Sequence, residues 1–256
     1  MNKSVSCVEQ VRSKGFAVIS NVFSVEQVKL LRQEIDYRNL IHNQSIRVSS
    51  DLNMMHNCHE ESINFLEAYQ HPCIVRCLSE LLGDSYIIYA FQSSSLPPNG
   101  TNFARRIHCD SPRLIKDYIT NIGVILTLDN YSEQTGAIEF MPFSFDTAIP
   151  PSEEDFEMSS QKVFCDKGSI IIFNARTFHR EGLNSTDTFR HSLTCNFCRC
   201  YMRQRFDFVR MAQASGSILQ MTEQQRKLIG YNVRMPTSLD EFFLPPEKRL
   251  YLSGQE

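Results

Sequence analysis

A chain of 256 residues with 42% hydrophobic side chains can bury one substantial core. Its 26 basic and 29 acidic residues leave a formal net charge of −3, which supplies no field for nucleic acid or for an anionic membrane surface. The longest apolar runs, residues 122–126 and 170–173, are far too short to span a bilayer, and the first ten residues hold no hydrophobic signal core, so a soluble, cytoplasmic protein is expected.

In chain order, helical periodicity predicts helices over residues 8–14 and 24–40, the second opened by Ser24 with Gln27 at capping-box spacing. Residues 43–61 are polar, without clear period, and read as a loop with room for a short helix. His56 and His59 are expected there as solvated side chains. Residues 62–82 carry helically spaced apolar positions interrupted at Pro72, which predicts two helices. Strands then dominate from 86 to 202, with a turn at residues 97–100 and an exposed insertion at 144–160. The C-terminal part returns to helix at 222–228 and again at 237–243.

Within the strand region lies the pattern that carries most chemistry. Residues 103–110 read as a strand running into a loop and ending in His108, Cys109 and Asp110. Side chains two apart on an extended chain point the same way, so His108 and Asp110 can converge on one ion while Cys109 turns aside. His179 follows the buried strand 168–173, and a turn-rich stretch leads to a second strand over 189–197. A hairpin there would bring Arg190 back beside the metal, with Ser192 on the same face as a second donor suited to a carboxylate. Two imidazoles and one carboxylate hold ferrous iron on one face and leave the opposite face open. A lone His-x-Asp is common by chance; the second histidine, the arginine and the strand contexts in order turn the balance toward iron. Arg106 shares the face of His108 in this alternation, whereas His191 points away from Arg190. The nine cysteines, an odd count, suit a reducing compartment. Cys195 faces the opposite side from Cys198 and Cys200, so these are expected to be buried thiols and not a zinc site.

These features resemble the phytanoyl-CoA dioxygenase family of iron- and 2-oxoglutarate-dependent oxygenases over most of the chain. Residues 14–24, Leu81-Leu82-Gly83, Leu128-Asp129-Asn130 with residues 136–142, and the stretch from His179 to Arg190 match in order. The resemblance implies a mainly β domain with flanking helices around a double-stranded β-helix, a cupin-like jelly roll. One domain over residues 1–256 is expected: a helical part to about 83, a core from about 84 to 202, and a helical cover beyond. It also implies that His108, Asp110 and His179 bind Fe(II), and that Arg190, assisted by Ser192, pairs with the distal carboxylate of 2-oxoglutarate. Gln92 and Asn121 stand where the family often contacts this co-substrate, and O2 is the other co-substrate. Asp110 argues for hydroxylation or a related oxidation, since halogenating members lack that carboxylate. No basic run suits coenzyme A, which favours a small-molecule substrate, an amino acid or a natural-product intermediate, over an acyl-CoA or lipid. The competing class is a jelly roll that holds metal or ligand without turnover.

Two positions depart from the family's pattern. The usual Pro-Gly-Ser-His is here Pro142, Phe143, Ser144 and Phe145, a change expected to affect a loop and not the iron. The residue two after the distal histidine, often a small hydroxyl residue, is Glu181, a carboxylate where a co-substrate carboxylate is expected.

Overall fold

Antiparallel pairing organises the core of this computed structural model, which describes residues 6–45, 52–111, 113–233 and 235–249. The strands are β1 (Phe16–Ile19), β2 (Tyr86–Leu96), β3 (Asn121–Thr127), β4 (Glu139–Phe140), β5 (Gln161–Lys162), β6 (Ile170–Asn174), β7 (His179–Arg180) and β8 (Arg190–Arg199). One sheet has the order β1-β6-β3-β8-β2 and the other β5-β4-β7, with antiparallel neighbours in both.

Side-chain alternation on these strands divides the apolar interior in two. On β6, Ile170 and Ile172 join Leu193, Cys195 and Phe197 of β8 in a large cluster beneath the helices. Ile171 and Phe173 point the other way and meet Phe140 of β4, so the second cluster spans the two sheets. Gly123 on β3 makes this possible, because a Cβ there would lie 2.2 Å from the Phe173 ring.

The N-terminal helices cover the larger cluster. They are α1 (Cys7–Lys14), α2 (Val25–Asn43), α3 (Cys58–Glu61), α4 (Ile63–Ala68) and α5 (Pro72–Leu82). Ser6 with Glu9 and Ser24 with Gln27 form complete capping boxes, which satisfy the first free amides of α1 and α2. Pro72 sits at the first position of α5, where it has no helical hydrogen bond to lose. The later helices are α6 (Glu153–Ser159), α7 (Phe208–Ser215), α8 (Glu223–Leu228) and α9 (Leu239–Phe242), with capping side chains from Ser152, Asp207, Thr222 and Ser238.

Several local expectations change. Residues 103–110 do not form a strand: Phe103–Arg105 is a 3-10 turn capped by Asn102, and extended backbone resumes at Arg106. The insertion at 144–160 is not wholly exposed, because Phe156 and Ser144 are buried and anchor it. His59 is 2% exposed in α3, its ring edge-on to Phe208, and not solvated. No hairpin joins β7 to β8. The first pairs with β4 and the second lies between β3 and β2, so residues 181–189 cross from one sheet to the other.

Candidate metal centre

His108 and His179 face each other across an antiparallel bridge. The His108 amide donates to the His179 carbonyl at 3.0 Å and the reverse bond is 2.9 Å, which sets the imidazole centroids 4.3 Å apart. Two residues on, the Asp110 and Ser111 amides both donate to the Ala175 carbonyl, at 2.9 and 3.0 Å. The segment is thus pinned at both ends to the stretch that runs from Ala175 to His179 at the start of β7.

Ring orientation follows from hydrogen bonding. The His108 Nδ1 lies 2.8 Å from the Arg106 carbonyl and the His179 Nδ1 2.9 Å from the Thr177 carbonyl. A carbonyl only accepts, so each Nδ1 carries the hydrogen, which leaves Nε2 as the ring atom that can offer a lone pair. Those Nε2 atoms stand 3.6 and 3.8 Å from Asp110 Oδ1, and the three ligand atoms lie within 4.8 Å of one another. Burial, reinforced by the His108 ring and opposed by Asp110, lowers the His179 pKa to about 4, which keeps its lone pair available at neutral pH. Phe140 and Phe173 wall the ring at centroid distances of 5.3 and 5.1 Å. Two imidazoles and a carboxylate, each with an outer partner, are a donor set that fits a divalent iron and leaves one side open.

Asp110 is held from β8. Asn196 Nδ2 donates to Asp110 Oδ2 at 3.3 Å, and Asn121 Nδ2 donates to Asn196 Oδ1 at 3.2 Å. Asn121 therefore reaches the metal side through Asn196, and its own Oδ1 is buried without a partner. Asn196 is not among the residues that the sequence pattern singles out, although period two along β8 puts Arg190, Ser192, Thr194 and Asn196 on one face. Gln92 shares a cavity of about 50 Å³ with Asp110, Asn196 and Arg205. Arg205 also lines a larger cavity of about 690 Å³, together with Arg203, Arg210, Phe206 and Met235.

Arg190 is not an open fork. It is 1% exposed; its Nη2 pairs with the Glu181 carboxylate and lies 3.5 Å from the Gly136 carbonyl. Its Nη1 donates to the Tyr131 hydroxyl and reaches Ser192 Oγ at 3.5 Å. Ser192 in turn donates to the Ser94 carbonyl at 3.2 Å. Burial alone would lower the Arg190 pKa; Glu181 and then Tyr131 more than offset it, and the net direction is upward. Burial raises the Tyr131 pKa, so this phenol is a neutral partner.

Among the neighbouring residues, Arg106 is exposed and its guanidinium stacks on Phe103 at 3.9 Å. Arg105 instead reaches inward, to the Glu181 carbonyl at 3.0 Å and Glu139 at 3.6 Å. Cys109 turns aside and accepts from Arg176 Nη1 at 3.5 Å. His191 lies on the opposite face of β8, 2.7 Å from the Ser95 hydroxyl and 2.9 Å from Asp36.

Known proteins give this arrangement a context. The chain is 25% identical over 252 residues to the uncharacterized proteins Mb1539 of Mycobacterium bovis and Rv1501 of Mycobacterium tuberculosis, which covers 94% of this chain and 92% of either relative. It shares a fold with the epimerase SnoN, solved with Fe3+, alpha ketoglutarate and nogalamycin RO, at a TM-score of 0.62 and 19% identity over 75% of this chain and 82% of SnoN. EvdMO1 superposes with a TM-score of 0.60 at 19% identity, covering 75% of this chain and 49% of its own. The family described as phytanoyl-CoA dioxygenase (PhyH) matches residues 11–192, more than two thirds of the sequence, and the chain belongs to that family.

Proposed function

We propose that this protein is a non-haem Fe(II)- and 2-oxoglutarate-dependent oxygenase that hydroxylates a C–H bond of a small molecule in the cytoplasm. The observation that carries the reading is the convergence of His108 Nε2, His179 Nε2 and Asp110 Oδ1, with both Nδ1 atoms committed to backbone carbonyls. The two antiparallel sheets, with their shared apolar cluster, are read as the halves of a double-stranded β-helix in a single domain. Bound iron supplies oxidation of the co-substrate by O2 and, through it, of the substrate.

The chain's own residues do the rest. His108, His179 and Asp110 would hold the metal through their converging Nε2, Nε2 and Oδ1 atoms. Asn196 holds the Asp110 carboxylate in place, with Asn121 behind it, and Phe140 and Phe173 keep water from the buried side of His179. The substrate enters through the cavity shared by Gln92, Asp110 and Arg205, and the adjoining arginine-rimmed space suits a small molecule with an anionic or polar end, such as an amino acid or a natural-product intermediate. No described helix is long and apolar enough to cross a membrane, and the nine cysteines stand as free thiols, which suits a reducing compartment.

The test is co-substrate turnover. Purified protein with Fe(II), 2-oxoglutarate and O2 is expected to form succinate, and His179→Ala to form none. Wild-type protein that binds iron but forms no succinate with any panel of amino-acid or natural-product substrates would favour a non-catalytic binding role.

A further inference from the structure

The Arg190 site holds a charge that the family pattern does not provide. Glu181 is 4% exposed, and its backbone is fixed on both sides: its amide donates to the Ala104 carbonyl at 2.9 Å, and its carbonyl accepts from Arg105. The next residue, Gly182, abuts Gly136 so tightly that a Cβ would lie 2.6 Å from the Gly136 carbonyl carbon. The crossover segment is therefore seated, and the Glu181 side chain is delivered to Arg190 by backbone contacts and not by an accident of a loose loop.

The donor inventory of Arg190 is nearly used up. Nη1 and Nη2 are engaged by Tyr131, Ser192, Glu181 and the Gly136 carbonyl, and Nε alone has no partner. A second carboxylate arriving here would find one N–H, not a two-pronged fork. It would also add a negative charge to a buried pair that is already neutral, and a buried charge without a counter-charge is strongly unfavourable.

We propose that Glu181 is an internal competitor for the co-substrate: its carboxylate occupies the guanidinium of Arg190, so that the distal carboxylate of 2-oxoglutarate contributes little to binding and short 2-oxo acids with uncharged tails bind about as well. This rests on the oxygenase reading above. Glu181 is then the residue that sets co-substrate selectivity, and Arg190 is its partner before it is the co-substrate's.

The experiment compares two ligands on the Fe(II)-loaded protein under anaerobic conditions, by titration calorimetry: 2-oxoglutarate, and 2-oxobutanoate, which has the same chelating end and no distal carboxylate. For wild type the two affinities are expected to agree within about fivefold. Glu181→Gln keeps the side-chain volume and an acceptor for Arg190 but removes the competing charge. It is expected to tighten 2-oxoglutarate by at least about tenfold, the size of a restored buried charge pair, and to leave 2-oxobutanoate within about threefold. A wild type that already prefers 2-oxoglutarate by tenfold or more overturns the proposal and leaves the oxygenase reading intact. So does a Glu181→Gln protein with no gain for 2-oxoglutarate. If neither 2-oxo acid binds either iron-loaded protein, the oxygenase reading fails, and the proposal fails with it. Should Glu181→Gln not fold, the wild-type ratio decides.

Discussion

Removing one member of the Glu181–Arg190 pair tests how the crossover between the two sheets is held. The side chains are 6% and 1% exposed, so neither charge can be returned to water without opening the fold. In Glu181→Leu the guanidinium keeps the Tyr131 hydroxyl, Ser192 and the Gly136 carbonyl but has no counter-charge. Leaving a buried charge in that state costs about 3–5 kcal/mol. Arg190→Met strands the Glu181 carboxylate and is expected to cost a similar amount. Either loss is a large share of the ~5–15 kcal/mol that stabilises a typical domain. The double variant removes both charges and leaves an apolar pair of comparable volume, so its loss is expected to stay below about 2 kcal/mol. Urea unfolding followed by far-ultraviolet circular dichroism is the assay, since the chain contains no tryptophan. The comparison is valid where the denaturant slope is shared by all four proteins. Single variants that each cost under about 1 kcal/mol, with an additive double variant, would refute the closed pair.

Two further outcomes follow from particular contacts. Asn196→Ala removes the donor that steadies Asp110 and is expected to weaken metal affinity by about 10- to 100-fold in a chelator competition, with folding retained; an unchanged affinity would show that Asp110 does not need Asn196. Burial, against the pull of Glu60 at 3.6 Å, lowers the His59 pKa to about 4, while the unfolded chain takes up the same proton near ~6.5. Its contribution to stability is therefore complete above about pH 6.5 and is lost as pH falls toward 4, by about 3 kcal/mol. His59→Phe is expected to flatten that part of the unfolding free energy measured against pH, with the residual slope of the same sign left by His179 and His191; an unchanged slope would contradict the burial argument.

Much of the fold and the candidate centre was legible in the sequence wherever the governing interaction is local. Ser24 with Gln27, and Pro72 at a helix start, announce helix boundaries because capping acts over three or four residues. His108 and Asp110 share a direction because extended backbone repeats every two residues, and this held even though the segment is a bridge and not a strand. Pairing partners were not legible. β7 and β8 look like a hairpin in sequence, but which strand each accepts depends on residues far away in the chain, here Glu139 and Phe140 for β7 and the long β2 and β3 for β8. The same limit hid the role of Glu181. Its proximity to Arg190 in sequence says nothing about whether the intervening turn returns the carboxylate to the guanidinium or sends it to solvent; the Gly182–Gly136 contact and the Ala104 hydrogen bond decide that. The polar neighbours of His59 in sequence suggest solvent, whereas Phe208, some 150 positions later, packs against its ring. Asn196 was within reach of the period-two argument that found Arg190 and Ser192, carried four residues further along β8.

Iron stoichiometry tests the central claim most directly. Anaerobic titration of the purified protein with Fe(II) is expected to give one tightly held equivalent for wild type. His179→Ala, which removes a ligand lone pair but leaves its bridge to His108 in the backbone, is expected to keep its circular dichroism and lose that equivalent. A His179→Ala protein that retained one tight equivalent of iron would contradict the assignment of His108, Asp110 and His179 as the metal centre.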